Sequence, residues 1–343
     1  MRTANIAFFV PHLGCPHRCS FCDQESISGR EGAPTPQQVA EGCRRGLENR
    51  RRYQRMEIAF FGGSFTAIPR PQMLQLLEAA APFVGPGRAD GIRISTRPDA
   101  ISGEVLEILR FYRVTAIELG AQSMDDQVLR RNGRGHTAAQ VEAAAGAIRR
   151  GGFSLGLQMM TGLWGDSPQG AMETARRLIA LGPQGVRIYP TVVLEGTRLD
   201  RARREGLYQP PGLEETIPLC AALLRLFDQA GIPVLRLGLH ASPQVEKRMT
   251  GGCYHPALGE LCRGRLLAED ALAAAQAAGI APGPVVIQVA PAARSCLGGQ
   301  KGIWKAFLAA RGYPFVLEED PALEGRQLRV RPAQTDPKKE DTP

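Results

Sequence analysis

The stretch of sequence that decides the fold is Cys15-Pro16-His17-Arg18-Cys19-Ser20-Phe21-Cys22. Three residues separate its first two cysteines and two residues separate its last two. A tight loop with this spacing can direct three thiolates at three corners of one cubane 4Fe–4S cluster. Because four cysteines usually hold such a cluster, a set of three leaves one iron open to bind another molecule. The loop therefore predicts a 4Fe–4S cluster on Cys15, Cys19 and Cys22.

Two other uses of these cysteines fit the spacing less well. A zinc site usually has four ligands, so it would need His12 or His17 to complete the set. A disulfide framework is typical of short secreted chains, and three clustered cysteines cannot all pair with one another. The cluster is the favoured interpretation, and zinc stays an alternative.

Short apolar runs alternate with helix-like stretches over the first 240 residues, and the first run ends just before the cysteine loop. Such alternation indicates βα units around a parallel sheet. We predict an α/β fold, a partial (β/α)6 TIM-like barrel, with its chemistry at the C-terminal ends of the strands. The predicted strands are Ile6–Val10, Glu57–Phe61, Gly91–Ser95, Ile117–Ala121, Ser154–Met159 and Gly185–Tyr189, with a possible seventh at Val234–Leu239. The predicted helices lie near 36–52, 70–83, 102–111, 137–151, 169–181 and 213–230.

The rest of the chain has a different pattern. We expect residues 1–240 to form the barrel and residues 241–331 to form a C-terminal extension. The extension should contain a loop, an Ala-rich helix at about 266–279, and a small α/β unit. This unit is predicted as a strand at Val285–Val289, a helix at about 301–311, and strands at Pro314–Leu317 and Gln327–Val330. Residues 332–343 are polar and are predicted to be disordered.

Composition restricts the location and the partners of the protein. The 343 residues carry a formal charge of +8 and eight cysteines, without a signal-peptide pattern or an apolar run long enough to span a membrane. Free thiols without a secretion signal indicate a reducing cytoplasm. The basic balance is compatible with a nucleic-acid partner. The oligomeric state is left open.

Further motifs follow the later strands, and together with the cysteine loop they resemble a known family. They are Gly62-Gly63-Ser64-Phe65-Thr66, Thr96-Arg97-Pro98-Asp99, Glu118-Leu119-Gly120-Ala121-Gln122-Ser123, Arg134-Gly135-His136-Thr137 and Ile188-Tyr189-Pro190-Thr191. The chain resembles the radical S-adenosylmethionine (SAM) superfamily. Within it, residues 1–240 resemble the radical SAM domain of the Elongator catalytic-subunit family in its short bacterial form. They are more distantly similar to oxygen-independent coproporphyrinogen oxidases.

This resemblance implies a second cofactor and a set of contacts. The open iron would chelate the amino and carboxylate groups of SAM. Glycines let backbone approach a ligand closely, and arginine suits a carboxylate. The implied contacts are Phe21 at the adenine, Gly62, Gly63 and Ser64 at the amino group, Ser95, Gln122 and Gln158 at the ribose, and Arg134 at the carboxylate. Phe21 could instead only pack the loop, and Glu118 could be structural.

The resemblance also implies an activity. A radical SAM enzyme takes an electron from an external donor, cleaves SAM reductively and generates a 5′-deoxyadenosyl radical. The expected substrate is RNA, in particular tRNA. The Elongator subunit also carries an acetyltransferase domain, but no acetyl-CoA-type glycine loop that opens a helix follows residue 240, so its complete tRNA modification is not carried over. Radical chemistry on a small molecule and a non-catalytic SAM- or RNA-binding module are the alternatives.

Two features outside the barrel stay open. Cys253, His255 and Cys262 could form a second metal site, although their spacing is unusual for ligands. The segment Gly299-Gln300-Lys301-Gly302 resembles the loop that clamps backbone nucleotides in KH domains. An ordinary helix start is the alternative for this segment.

Overall fold

The computed structural model describes residues 3–10, 15, 18–23 and 32–333. The chain divides into two compact units. The first comprises Met1–Thr216 and Leu226–Pro256, and the second comprises Ile217–Arg225 and Ala257–Pro343. The domain boundary near residue 240 stays a prediction, and the compact units differ from it at 217–225 and 241–256. His12 and His17, the alternative zinc ligands, lie outside the described residues.

The described residues form twelve strands and twelve α-helices. The strands are β1 (Thr3–Val10), β2 (Arg55–Gly62), β3 (Gly91–Thr96), β4 (Val114–Gln122), β5 (Ser154–Thr161), β6 (Gly185–Pro190), β7 (Val192–Leu194), β8 (Val234–Leu237), β9 (Met249–Gly252), β10 (Val285–Val289), β11 (Phe315–Glu319) and β12 (Leu328–Pro332). The helices are α1 (Pro36–Leu47), α2 (Arg70–Ala80), α3 (Gly103–Phe111), α4 (Asp126–Arg131), α5 (Ala138–Arg150), α6 (Pro168–Ala180), α7 (Arg198–Arg204), α8 (Leu213–Gln229), α9 (Pro243–Arg248), α10 (Leu258–Ala277), α11 (Arg294–Gly298) and α12 (Ile303–Ala309).

One curled sheet dominates the first unit. Its strands follow the order β1-β2-β3-β4-β5-β6-β8, and each neighbouring pair is parallel. All seven predicted strands are present, so the partial TIM-like barrel is confirmed and includes the seventh strand. In the second unit, β10 pairs with β11 in parallel and with β12 antiparallel.

Local sequence explains where several helices begin. Thr35 accepts a hydrogen bond from the Gln38 N–H at 3.2 Å, while the Gln38 side chain accepts one from the Thr35 N–H at 2.8 Å. This reciprocal cap satisfies two backbone donors at the start of α1. Thr137 and Gln140 form the same arrangement at the start of α5. The described part of the chain contains no helix with the length and apolarity that a membrane crossing requires.

Several sequence-based boundaries were wrong. The Ala-rich helix begins at Leu258 rather than 266, and α12 covers only part of 301–311. Pro332 belongs to strand β12 rather than to a disordered tail, and residues 334–343 lie outside the described residues. The short helices α4, α7, α9 and α11 and the antiparallel pair of β7 and β9 were missed. These elements are too short for an apolar period to mark them.

The two faces of the sheet have opposite character. A Cβ atom on Gly42 or Gly46 of α1 would come within 2.7 Å of the Phe8 ring or 2.6 Å of the Ile6 side chain. The helix therefore packs directly on this face of β1. Since strand side chains alternate between faces, the residues between the buried apolar positions lie on the face opposite the helices.

A row of charged side chains crosses that opposite face. Glu57 of β2 accepts from Arg93 of β3 at 2.7 Å, and Arg93 also donates to Glu118 of β4 at 3.2 Å. Arg187 of β6 reaches Glu118 with two bonds of 2.7 and 2.9 Å. Gln158 of β5 donates to Glu118 at 2.9 Å. Three strands, β3, β5 and β6, thus supply hydrogen-bond donors to the buried carboxylate of Glu118, which lies on β4.

The position of Glu118 depends on both space and charge. A Cβ atom on Gly156, its neighbour on β5, would lie 2.8 Å from the Glu118 side chain. Burial alone would raise the pKa of Glu118, but the hydrogen bonds and charge of Arg187, with the charge of Arg93, lower it. Glu118 is therefore ionised at neutral pH. Its contribution to stability is present above its unfolded pKa and is lost as the pH falls through the lowered folded pKa.

We predict that Glu118→Ala lowers the free energy of unfolding by about 3–5 kcal/mol, because it leaves the largely buried Arg187 without its carboxylate partner and removes one of the two carboxylates that Arg93 contacts. Urea denaturation at neutral pH measures this loss. The control is Glu173→Ala, which removes an exposed ion pair with Arg176 and should cost less than about 1 kcal/mol. Equal losses in the two variants would contradict a structural role for the row.

Candidate active site at the strand ends

The cysteine loop is attached to the segment between α4 and α5. Ser20 donates its backbone N–H to the Asn132 carbonyl at 2.9 Å and its hydroxyl to Asn132 Oδ1 at 2.7 Å. The Ser20 carbonyl accepts from the Leu199 N–H at 2.8 Å. Asn132 is fully buried, and its amide donates to the carbonyls of Val128 and Trp164 at 2.8 and 2.9 Å. The loop is thus fixed directly to two other segments of the first unit, at Asn132 and at Leu199.

Two arginines add charged attachments to the loop. Arg248 pairs with Asp23 at 2.6 Å, just after the last cysteine of the triplet. Arg134 donates from Nη1 to the Cys19 sulfur at 3.2 Å and from Nη2 to the Gly120 carbonyl at 2.7 Å. Arg134 therefore connects the middle cysteine directly to the end of β4.

The three cysteine thiols influence one another. Cys19 is buried, and Cys15 and Cys22 are half-buried free thiols. Burial, reinforced by Cys19 and Cys15, raises the pKa of Cys22 to about 12. Burial also raises the pKa of Cys15, against the lowering effect of the Ser64 backbone N–H and of Arg97 and Arg134. Because iron binds thiolates, assembly of a cluster on these residues would release protons.

In the described part of the structure, the three thiols of the loop are not gathered around one metal position. Among the residues that the structure describes, no three Cys, His, Asp or Glu side chains are gathered closely enough to hold a metal ion. This statement includes Cys15, Cys19 and Cys22, and also Cys253, His255 and Cys262. The neighbouring residues 11–14 and 16–17 lie outside the described ranges. Both metal sites therefore stay predictions.

The turn after β2 lies directly beside the cysteine loop. Gly62 has a φ of 108°, and a Cβ atom there would lie 3.0 Å from the Val10 carbonyl oxygen. That carbonyl accepts the Gly63 N–H at 2.6 Å. The Ser64 N–H interacts with the Cys15 thiol, and its buried hydroxyl lies 3.0 Å from that of Thr96. Only glycine combines this backbone geometry with so close an approach of two strand ends.

Gln122 and Arg134 come together at the end of β4. Gln122 has a φ of 66°, an unusual value for a residue with a side chain. A Cβ atom on Gly120 would lie 2.9 Å from Gln122 Nε2 and 3.4 Å from Arg134 Nη2. Nearby, His136 Nε2 lies 3.2 Å from the Ala121 carbonyl. Burial, then the charge of Arg134, lowers the pKa of His136 to about 4, so its ring is neutral at pH 7.

The remaining predicted contacts have protein partners. Gln158 Nε2 lies 3.4 Å from the Ser95 hydroxyl and donates more closely to Glu118, so these predicted ribose contacts form part of the charged row. Phe21 packs against two apolar groups, one around Val193 and Leu199 and one around Met160 and Leu163. Loop packing is thus observed for Phe21, and its contact with adenine stays a prediction.

Two residues at the site, Arg97 and Asn132, were not predicted from the sequence. Arg97 pairs with Asp99 through two bonds of 2.9 and 2.8 Å, and its charge acts on Cys15 and Cys19. The Arg-Pro-Asp motif after β3 could have indicated this residue, because the motif ends a strand whose neighbours carry ligand candidates. No sequence signal indicated Asn132, since its role depends on a contact with a loop 112 residues away.

The strand ends fit a polar cofactor. Within the described ranges, four buried atoms here have no hydrogen-bond partner: Arg97 Nη1, Gln122 Oε1, Arg134 Nε and His136 Nδ1. A buried polar atom without a partner costs about 1–3 kcal/mol. A ligand with donors and acceptors at this edge would remove that cost, and the thiols beside it are suitable ligands for iron.

Two known protein-family models match this chain. The model for the radical SAM superfamily matches residues 9–178, and the model for the radical SAM C-terminal domain matches residues 183–267. The chain belongs to the radical SAM superfamily. It is therefore a radical SAM enzyme by family, and the predicted resemblance is confirmed.

Relatives of this radical SAM enzyme include archaeal and bacterial proteins. It is 30% identical over 210 residues to the uncharacterized protein MJ0486 of Methanocaldococcus jannaschii, covering 57% of this chain and 64% of that protein. It is 33% identical over 126 residues to the tRNA uridine(34) acetyltransferase of Dehalococcoides mccartyi, covering 36% and 28%. The chain thus matches less than two thirds of either relative's length.

A solved structure has the same fold. The archaeal Elp3 of Methanocaldococcus infernus superposes with a TM-score of 0.59 at 19% identity, covering 81% of this chain and 64% of that one. At this identity the likeness concerns the fold alone.

We predict that Asn132→Ala weakens retention of the cluster, because it removes the acceptor of the Ser20 hydroxyl and two further bonds. A cost of about 1.4 kcal/mol, within the usual range for such losses, corresponds to about tenfold faster loss of iron to a chelator. Iron release from anaerobically reconstituted protein measures this. The control is Asn49→Ala, an exposed residue whose side chain caps no helix. Wild-type retention in Asn132→Ala would contradict the anchoring role.

Proposed function

We propose that this enzyme cleaves SAM reductively at a 4Fe–4S cluster on Cys15, Cys19 and Cys22, and that its substrate is tRNA. The observation that carries the first part is the attachment of the cysteine loop beside orphaned buried polar atoms at the ends of parallel strands. The second part rests on the bacterial relative named for tRNA uridine(34) and on the net charge of +8.

The protein residues would position the cofactors and exclude water. When bound, a reduced cluster would supply the one electron that cleaves a C–S bond of SAM into methionine and a 5′-deoxyadenosyl radical able to take a hydrogen atom from the substrate. Asn132 and Arg134 hold the loop that carries the thiolates. The turn at Gly62 and Gly63 leaves room for close backbone approach.

Side chains at the later strand ends would orient SAM. Gln122 Oε1 and His136 Nδ1 are buried acceptors without partners in the described structure, and Arg97 Nη1 and Arg134 Nε are buried donors in the same state. Acceptors suit the amino and hydroxyl groups of SAM, and arginine donors suit its carboxylate. The apolar group of Met160, Leu163 and Phe21 would keep water from the reactive radical.

We predict that anaerobically purified protein, given SAM and a strong reductant, releases 5′-deoxyadenosine and methionine. Cys19→Ala should abolish this release because it removes an iron ligand. Cys296→Ala is the matched control, since this cysteine lies in the second unit and outside the triplet. Liquid chromatography with mass spectrometry quantifies both products.

Undiminished release from Cys19→Ala would rule out the assigned cluster. A separate comparison with and without unfractionated tRNA tests the substrate. Faster release and a new modified nucleoside are expected when tRNA is present. Release that does not respond to tRNA would favour a small-molecule substrate, while no release from cluster-loaded wild-type protein would favour a non-catalytic module.

A further inference from the structure

A groove of about 750 Å³ opens on the second unit. One wall comes from α11 and the turn after it, with Arg294, Ser295 and Gly298–Gly299, and Lys305 of α12 lines it as well. The other wall is Phe315–Leu317 of β11. Because the sheet order is β11-β10-β12, this wall is the free edge strand. Val316 on it is 61% exposed.

The turn between α11 and α12 is Gly299-Gln300-Lys301-Gly302. It connects two helices that lie between the parallel strands β10 and β11 in sequence. Gly299, Lys301 and Gly302 have φ values of 64°, 55° and 69°, so the alternative of an ordinary helix start does not describe it. A Cβ atom on Gly298 or Gly302 would meet nothing within 4 Å. The main chain on both sides of Lys301 is therefore open to an approaching group.

Packing holds this turn in place from behind. A Cβ atom on Gly299 would lie 2.8 Å from the Trp304 ring. On α10, a Cβ atom at Gly264 would collide with Trp304 Nε1 and with the Cys296 carbonyl oxygen. Trp304 itself is buried. The two glycines let the indole ring fit between α10 and the turn, so the turn packs closely against that helix.

Positive charge is available at the groove. Residues 284–333 contain seven Lys and Arg and four Asp and Glu. The acidic residues at the end of β11 are each paired with an arginine: Glu318 with Arg331, Glu319 with Arg294, and Asp320 with Arg329. Lys301 and Lys305 are exposed, and neither has an ion pair within the described part of the chain. The two lysines are therefore available to an anionic partner.

We propose that this groove binds a single-stranded segment of RNA. Its phosphates would lie against the Gly299–Gly302 turn and the ammonium groups of Lys301 and Lys305, and its bases would contact Phe315 and Val316. Gly-x-x-Gly turns clamp the backbone of about four nucleotides in one class of RNA-binding domain. An exposed apolar wall favours unstacked bases, which a duplex does not offer.

This inference rests on the proposed function only for the choice of RNA as the polymer. The site is distinct in sequence from the strand ends that would hold the cluster. Deleting it would be a poor test, because a cut near residue 282 divides the compact unit between α10 and β10. Exposed charges at the groove can be reversed without disturbing the core.

The test is Lys301→Asp combined with Lys305→Asp in the full chain. The probes are a fluorescent single-stranded RNA 12-mer of random sequence and unfractionated tRNA, measured by fluorescence anisotropy over a range of salt. We expect affinity for both probes to fall at least tenfold. The slope of log Kd against log salt should fall by about 1 to 2, since each lost phosphate contact removes about 0.7 for a single strand. Gln300→Asp, a milder change in the same turn, should weaken binding in the same direction.

The matched control is Lys247→Asp with Arg150→Asp, which makes the same charge change at exposed positions of the first unit. It should weaken binding less than about threefold. Equal weakening in the two double variants, or wild-type affinity in the groove variant, would overturn the proposal. Equally tight binding of a 12-base-pair RNA duplex would overturn the assignment to single strands.

Cleavage of SAM without RNA distinguishes this inference from the proposed function. The groove variant should release as much 5′-deoxyadenosine as the wild type when RNA is absent. If the wild type cleaves SAM but binds neither probe, the groove proposal fails and the radical chemistry stands. If it binds both probes through the groove but releases no 5′-deoxyadenosine, the radical chemistry fails and the groove proposal stands.

Discussion

The two hydrogen bonds between Ser20 and Asn132 hold the cysteine loop over the ends of the parallel strands. The carboxyl ends of parallel strands meet at one edge of a sheet, so residues far apart in sequence can share one site. The loop contributes three thiols, the turn after β2 contributes tightly placed backbone, and the ends of β3 and β4 contribute arginines and polar groups. Without the attachment to Asn132, the first of these components would lose two of the hydrogen bonds that hold it against the others.

The charged row around Glu118 links the strands whose ends carry these components. It connects β2 to β6 across the face opposite the helices. Within it, Gln158 and Arg187 donate their hydrogen bonds to Glu118. Buried ion pairs are costly to desolvate and therefore depend on good geometry. In this enzyme the row fixes how neighbouring strands sit beside each other, while the groups nearer the strand ends are left with unsatisfied atoms for a ligand.

The fold was largely predictable because apolar runs and helical stretches alternate regularly. All seven strands of the large sheet follow from that pattern. The true start of α10 did not, because Gly264 lowers helix propensity and its presence is explained only by its contact with Trp304. The cysteine triplet was visible as a spacing, but its anchor Asn132 was not, since a single asparagine has no pattern. Likewise, strand alternation shows which residues share a face with Glu118, but not that arginines from β3 and β6 both reach it.

We propose that SAM binds to the open iron of a 4Fe–4S cluster held by only three cysteines. Electron paramagnetic resonance of the reduced protein, recorded before and after addition of saturating SAM, tests it most directly. We expect a 4Fe–4S signal whose g values change when SAM is added, because SAM would occupy the open iron. A cluster signal that is unchanged by saturating SAM would contradict this mode of SAM binding.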